Sequence, residues 1–170
     1  AMLPLQLARF YTTLTNVVIK NSVNNLKQNK ESLAQQKHER IFSAENSQNV
    51  VEMLEQVVNE HYTVAKVDGY RVGGKSGTAI KAFAGGYGND YVGLFAGVAP
   101  ISDPEIAVVV VIDDPGGDLY HGGEVAAPVF SRIMKGTLRL LNVPPDANTR
   151  VTSVQAEKKI ESVPKERDHV

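Results

Sequence analysis

Cysteine is absent from the sequence, which excludes a disulfide framework, a thiol nucleophile and any thiolate-held zinc or iron–sulfur site. An excess of either charge is absent as well. Lys and Arg number 18 against 19 Asp and Glu, for a formal charge of −1. A nucleic-acid binder needs a basic face to release counterions, and this balance leaves none, so no nucleic-acid partner is expected. Long apolar runs are missing too. The longest, Ile106–Ile112, falls far short of the ~20 residues of a membrane-spanning helix and suits a buried strand. No basic-then-apolar leader opens the chain. Ala1-Met2 runs straight into helical sequence, so the chain reads as a cut fragment. With 42% hydrophobic and 22% charged residues over 170 positions, it is globular and the size of one domain.

Pro4 to Asn16 has helical spacing: Leu7, Phe10, Tyr11 and Leu14 recur at three- and four-residue steps, and Pro4 suits a first turn. Residues 17–40 are rich in Asn, Gln and Lys, with five basic residues against Glu31 and Glu39, a local +3, and read as a solvated loop or exposed helix. A second helix is expected from about Ser47 to Val58, with Val50, Val51, Leu54, Val57 and Val58 as its stripe and Asn46 or Ser47 as its cap. Strands follow over Tyr70–Ile80, Tyr91–Ala99 and Ile106–Ile112, with turns at Gly85–Asn89 and Pro100–Pro104. Connections this short favour an antiparallel meander. A last helix spans about Ala127–Leu141, its stripe formed by Phe130, Ile133, Met134, Thr137, Leu138 and Leu141, and Pro144-Pro145 ends it. From Asp146 onward, five basic residues face five acidic ones, and residues 146–170 read as a disordered tail after an ordered unit of 1–145. The fold class is therefore α+β, an antiparallel sheet flanked by helices. An all-apolar strand is normally covered on both faces. The terminal helix covers one face only, so part of the domain is expected to lie outside this sequence.

Gly69-Tyr70-Arg71-Val72-Gly73-Gly74-Lys75-Ser76 fits the phosphate-loop pattern G-x-x-x-x-G-K-[ST] letter for letter. The alternative it raises is a nucleotide hydrolase, with Asp113-Asp114 after an apolar strand as magnesium-holding acids. That chemistry needs the Lys-Ser pair to open a helix whose amides hold the phosphates. Here Gly77 follows at once, and Gly85, Gly86 and Gly88 leave only a short stretch for one. Thr78, Ile80 and Phe83 fit a strand better. Lys75-Ser76-Gly77-Thr78 has another reading, since a lysine–hydroxyl–glycine triplet on an edge strand is an acyl-transfer element. Lysine supplies positive charge and a proton relay beside a serine nucleophile, a small hydroxyl binds a carboxylate, and glycine leaves the strand bare for a substrate backbone. Strict alternation puts Lys75 and Thr78 on opposite faces, so they can share a site only along the strand's edge.

The block Gly69–Ala79 is followed by Phe95-Ala96-Gly97-Val98-Ala99-Pro100, by Val109-Val110-Val111-Ile112-Asp113-Asp114-Pro115 and by Tyr120-His121-Gly122-Gly123-Glu124-Val125-Ala126-Ala127-Pro128-Val129-Phe130. In this order the blocks closely resemble the C-terminal part of class B penicillin-binding proteins of the FtsI type. Pro4-Leu5-Gln6-Leu7-Ala8-Arg9 resembles the family's T-P-L-Q-L-A-R helix upstream of that strand. The resemblance covers about residues 3–16 and 41–144, and implies the C-terminal portion of a penicillin-binding/β-lactamase-like transpeptidase fold.

It further implies a peptidoglycan D,D-transpeptidase of the bacterial inner membrane with a periplasmic catalytic domain, acting at the division septum beside other divisome proteins. Its partners would be D-Ala–D-Ala stem peptides and β-lactams, which acylate the same serine, and no cofactor or metal is implied. Lys75 would belong to the proton-relay network. Ser76 and Thr78 would bind the substrate carboxylate on a strand left bare by Gly77, and the Thr78 N–H would complete the oxyanion hole. Tyr120 would line the site more readily than His121. One departure is large. The nucleophile motif S-x-x-K occurs only as Ser162-Val163-Pro164-Lys165, where proline interrupts what must be a helical turn. Ser22-Val23-Asn24 and Ser47-Gln48-Asn49 match S-x-N but follow the Pro4–Arg9 segment, which the family's motif precedes. The nucleophile is therefore expected in an N-terminal remainder, with this chain inactive alone. A catalytically inactive peptide-binding module is the other alternative. His38 and His61 read as solvated, Asp113 and Asp114 as strand and turn caps, Arg71 as an exposed strand residue, and Met53 and Met134 as core.

Overall fold

The computed structural model describes residues 4–15, 42–83 and 85–147. The expectations for residues 17–40 and for the tail beyond 147 lie outside the described residues. Helix α1 (Pro4–Thr15) comes first, then α2 (Ala44–Glu60) and a single 3-10 turn at Thr63–Ala65. Strands β1 (Gly73–Phe83), β2 (Gly86–Ala99) and β3 (Ile106–Asp113) follow, then a four-residue helix α3 (Gly122–Val125) and α4 (Ala127–Leu140). The strands form one antiparallel sheet in the order β1-β2-β3. The α+β meander read from the sequence is the fold observed.

Parity along the strands sorts the two faces. Phe95 of β2 and Val110 of β3 point to one face, where Phe130, Met134 and Leu138 of α4 cover them. Those three recur at four-residue steps, so one side of α4 is buried while Ile133 and the following Leu141 are exposed. Ala96 and Val98 point the other way and pack with Tyr11 and Leu14 of α1 and Val51 of α2, with Ala107 and Val109 alongside. The apolar β3 is thus sandwiched. The expected lack of cover on this second face is corrected: α1, remote in sequence, folds back across the sheet.

Helix α2 starts a turn earlier than its apolar spacing suggests. The cap is Ser43, not Asn46 or Ser47: its Oγ accepts from the Asn46 N–H at 3.2 Å. Its buried side is Ser47, Val51, Glu55 and Val58, which leaves Val50 and Met53 in solvent, Met53 at 60% exposure. Met134 is core as expected and Met53 is not. The stripe is shifted because Glu55 turns inward to meet Arg71, whose Nε and Nη2 donate to the two carboxylate oxygens at 2.7 and 2.6 Å. Arg71 is therefore no exposed strand residue. The Glu55 hydrogen bond raises its pKa above the ordinary value and keeps it charged at every relevant pH.

The C-terminal side of the described chain returns to this place. Asp146 is buried, and its Oδ1 and Oδ2 accept from the backbone N–H groups of Arg71 and Ser102 at 2.7 and 3.1 Å. Tyr70 donates to the Val143 carbonyl at 2.6 Å, and the Ala147 N–H to that of Gly69 at 3.1 Å. Residues 146 and 147 thus continue the ordered unit.

The glycine-rich tip of the β1–β2 hairpin, expected to be loop through Asn89, stays paired down to Phe83↔Gly86, with a register shift between Ile80 and Ala82. Asp113 accepts an ion pair from Lys81 at 2.9 Å. Asp114 takes a positive φ of 54° and bonds back to the Tyr91 carbonyl, so the two acids cap the strand and turn. No group of three metal-ligating side chains occurs among the described residues, nor does any described helix have the length and apolarity to cross a membrane.

Burial pushes the Tyr11 phenol above its ordinary 10.0. The unfolded chain ionises this phenol first, so its contribution is whole below about pH 10 and drains away as pH rises beyond it. Melting followed from about pH 9 to 11 should show a loss of stability that Tyr11→Phe flattens.

Candidate active site

Among the described residues β1 is an edge strand, and its free border decides what its side chains can do. Ser76 and Thr78, two residues apart, share the face that carries Phe95. They open into a cavity of about 450 Å³ lined also by Tyr62, Val64, His121 and Glu124. The cavity lies between the end of α2 and the start of α3, with β1 as its floor. Lys75 is rooted on the opposite face by alternation. Its side chain nevertheless curls around the open border, placing Nζ 5.5 Å from the centre of the Tyr62 ring and 3.1 Å from the Ser76 carbonyl. An interior strand would block this path with its neighbour, so the edge alone lets Lys75 join Ser76 and Thr78.

The two hydroxyls are held differently. Ser76 Oγ shares a hydrogen bond with the Tyr62 phenol oxygen at 2.7 Å. Thr78 Oγ1 accepts from the Gly122 N–H at 3.0 Å, which leaves its own hydrogen for an acceptor in the cavity. That contact needs glycine at 122: a Cβ there would overlap the carbonyl oxygens of Gly77 and Leu94. Gly123 is close-packed too, since its Cβ would lie 2.5 Å from the Tyr62 ring, which would have to shift. The two glycines let α3 settle onto the β1–β2 backbone. The His121 N–H donates to Glu124 Oε2 at 3.2 Å across this short turn.

Of the residues singled out from the sequence, Lys75, Ser76, Gly77 and Thr78 lie together at the border. Tyr120 sits apart from the cavity lining, stacked on Tyr91 with ring centres 4.1 Å apart and leaning on His121 at 4.4 Å. His121 is the one that lines the cavity. Tyr62 escaped sequence reasoning altogether, because nothing local distinguishes a tyrosine after a helix end. Ser76 is the only serine lining the cavity among the described residues. The phosphate-loop alternative is overturned here. Residues after Ser76 continue as strand β1 through Phe83, so no helix N-terminus exists to hold phosphates.

An edge strand with a lysine, two hydroxyls and bare glycines beside a short glycine-led helix is the layout of a penicillin-recognising transpeptidase. The family model for the penicillin binding protein transpeptidase domain matches residues 1–135, and the chain belongs to that family. Within it, the similarity is to class B proteins of the FtsI type. The peptidoglycan D,D-transpeptidase FtsI of Escherichia coli strain K12 is 42% identical over 149 residues, covering 86% of this chain and 25% of that protein. The probable peptidoglycan D,D-transpeptidase PenA of Neisseria flavescens is 40% identical over 144 residues, 83% of this chain and 35% of that protein. Among solved structures, the apo transpeptidase domain of Burkholderia pseudomallei penicillin-binding protein 3 superposes with a TM-score of 0.72 at 42% identity, over 84% of this chain and 44% of that one. The chain thus spans about a quarter of the E. coli relative and less than half of that solved domain.

Proposed function

We propose that this chain forms one wall of the active site of a peptidoglycan D,D-transpeptidase, which cross-links stem peptides through a serine acyl-enzyme and is acylated by β-lactams. The observation that carries this reading is the convergence of the Lys75 ammonium with the Ser76 and Thr78 hydroxyls around a free strand border. A stem peptide ending in D-Ala–D-Ala can lie antiparallel along β1, matching its backbone to the strand. Its terminal carboxylate, an acceptor only, meets the hydroxyl hydrogens of Ser76 and Thr78. Lys75 adds positive charge next to the acyl carbon and relays protons for the attacking serine. The Thr78 N–H donates to the oxyanion as it forms. Nucleophile and base come from an S-x-x-K segment outside the described residues. In this reading the whole protein is anchored in the inner membrane, works in the periplasm at the division septum, and acts alongside other division proteins.

The test compares this chain alone with the complete transpeptidase domain, meaning this chain together with a segment carrying S-x-x-K. A fluorescent penicillin should label the complete domain stoichiometrically, resist gel denaturation, and leave the chain alone unlabelled. Stable labelling of the isolated chain, or none of the complete domain, overturns the reading.

A further inference from the structure

We propose that Tyr62 is a positioning residue whose phenol donates to Ser76 Oγ, so that the Ser76 hydrogen is turned toward an anionic ligand in the cavity. The proposal rests on the reading of Ser76 as a carboxylate-binding group.

Ser76 Oγ and the Tyr62 phenol oxygen lie 2.7 Å apart, and either hydroxyl can donate to the other. An ionised carboxylate offers no hydrogen and can only accept. For Ser76 to bind it, the Ser76 hydrogen must point into the cavity. The phenol, a stronger donor than an aliphatic hydroxyl, donates to Ser76 Oγ in that arrangement, so the pair stays bonded. A donor feeding Ser76 Oγ also strengthens the bond Ser76 makes to the anion, because linked hydrogen bonds polarise one another.

The ring is fixed well enough for this. Phe95 meets it edge-on at 5.8 Å and 79°, and the bare backbone of Gly123 abuts it, with no room there for even a Cβ. The face of the same ring carries Lys75 Nζ at 5.5 Å, a cation–π distance. The phenol oxygen therefore serves the carboxylate site, and the ring serves the lysine. Two substitutions separate these roles: Tyr62→Phe removes only the oxygen, and Tyr62→Leu removes both.

The experiment uses the complete transpeptidase domain and two probes, a penicillin and the same penicillin with its carboxyl group converted to a carboxamide. Stopped-flow acylation over a concentration series yields, for each probe, the apparent dissociation constant and the rate at saturation. Tyr62→Phe should weaken binding of the acid about five- to twentyfold and that of the carboxamide less than about twofold. The rate at saturation should stay within about twofold. Tyr62→Leu should also slow the rate at saturation, because Lys75 loses its seat. The acid-to-carboxamide ratio is taken within each variant, so partial misfolding cancels out of it. Equal weakening of both probes, or an unchanged ratio in Tyr62→Phe, overturns the proposal. Should the wild type itself show no preference for the acid, the carboxylate role of Ser76 falls and takes the proposal with it. That result is distinct from a preference that Tyr62→Phe leaves intact.

Discussion

Replacing Lys75 with alanine is expected to slow acylation of the complete domain by a penicillin about 10²- to 10⁴-fold, the usual worth of a positioned proton-transfer group. Folding should hardly change. Lys75 is exposed on the strand border, makes no ion pair with the described residues, and donates only to its neighbour's carbonyl. Truncations of this kind cost within about 0.5 kcal/mol. Measured acylation rates and thermal melts of the same samples separate the two quantities. Labelling that survives Lys75→Ala would show that the lysine plays no chemical part and is only a structural residue of the strand. Lys75→Arg refines the result. It keeps the charge but not a titratable amine, so a rate near that of Lys75→Ala indicates proton relay, whereas a rate near wild type indicates electrostatics.

Gly122→Ala should produce the largest structural effect. The added methyl would collide with two backbone carbonyl oxygens, those of Gly77 and Leu94, and lie 2.8 Å from the Leu94 nitrogen. Backbone cannot rotate away as a side chain can, so α3 must lift from the sheet. Overpacking costs about 1–3 kcal/mol and occasionally more, and the rigid partners here place this case at about 3 kcal/mol. Lifting α3 also separates the Gly122 N–H from Thr78 Oγ1, so acylation should fall even in the fraction that stays folded. A chemical-denaturation midpoint shift, together with an acylation rate normalised to folded protein, checks both halves. Gly136→Ala is the control, because its Cβ would meet open space in the middle of α4, where alanine favours the helix.

These residues also show what could be read in advance. Strand β3 was legible from its unbroken apolar run, and α4 from Phe130, Met134 and Leu138 at four-residue steps, because both signals are local. Lys75, Ser76 and Thr78 were legible as a motif, and alternation already required a site along the strand's border. Burial partners were harder. Glu55 and Arg71 are 16 residues apart, and no period marks a carboxylate that turns inward only because a guanidinium waits there. The glycine-rich hairpin tip looked like loop because its composition is that of turns, yet ladder pairing carried both strands onward. Helix α3 was invisible: four residues, two of them glycine, hold no periodicity. Tyr62 had no signature, since its role exists only once Ser76, Phe95 and Gly123 have gathered around it.

Asp146 bears on the order in which the chain can be completed. Its carboxylate fastens the backbone just ahead of β1, across a separation of 75 residues. A polypeptide made from its N-terminus at roughly 5–20 residues per second therefore presents β1 seconds before the group that secures it exists. Until then the lead-in to the strand bearing Lys75 is held from the earlier-made side alone, by Glu55 through the Arg71 guanidinium. Full seating of this segment waits for synthesis to reach position 146, whose carboxylate ties Arg71 and Ser102 together.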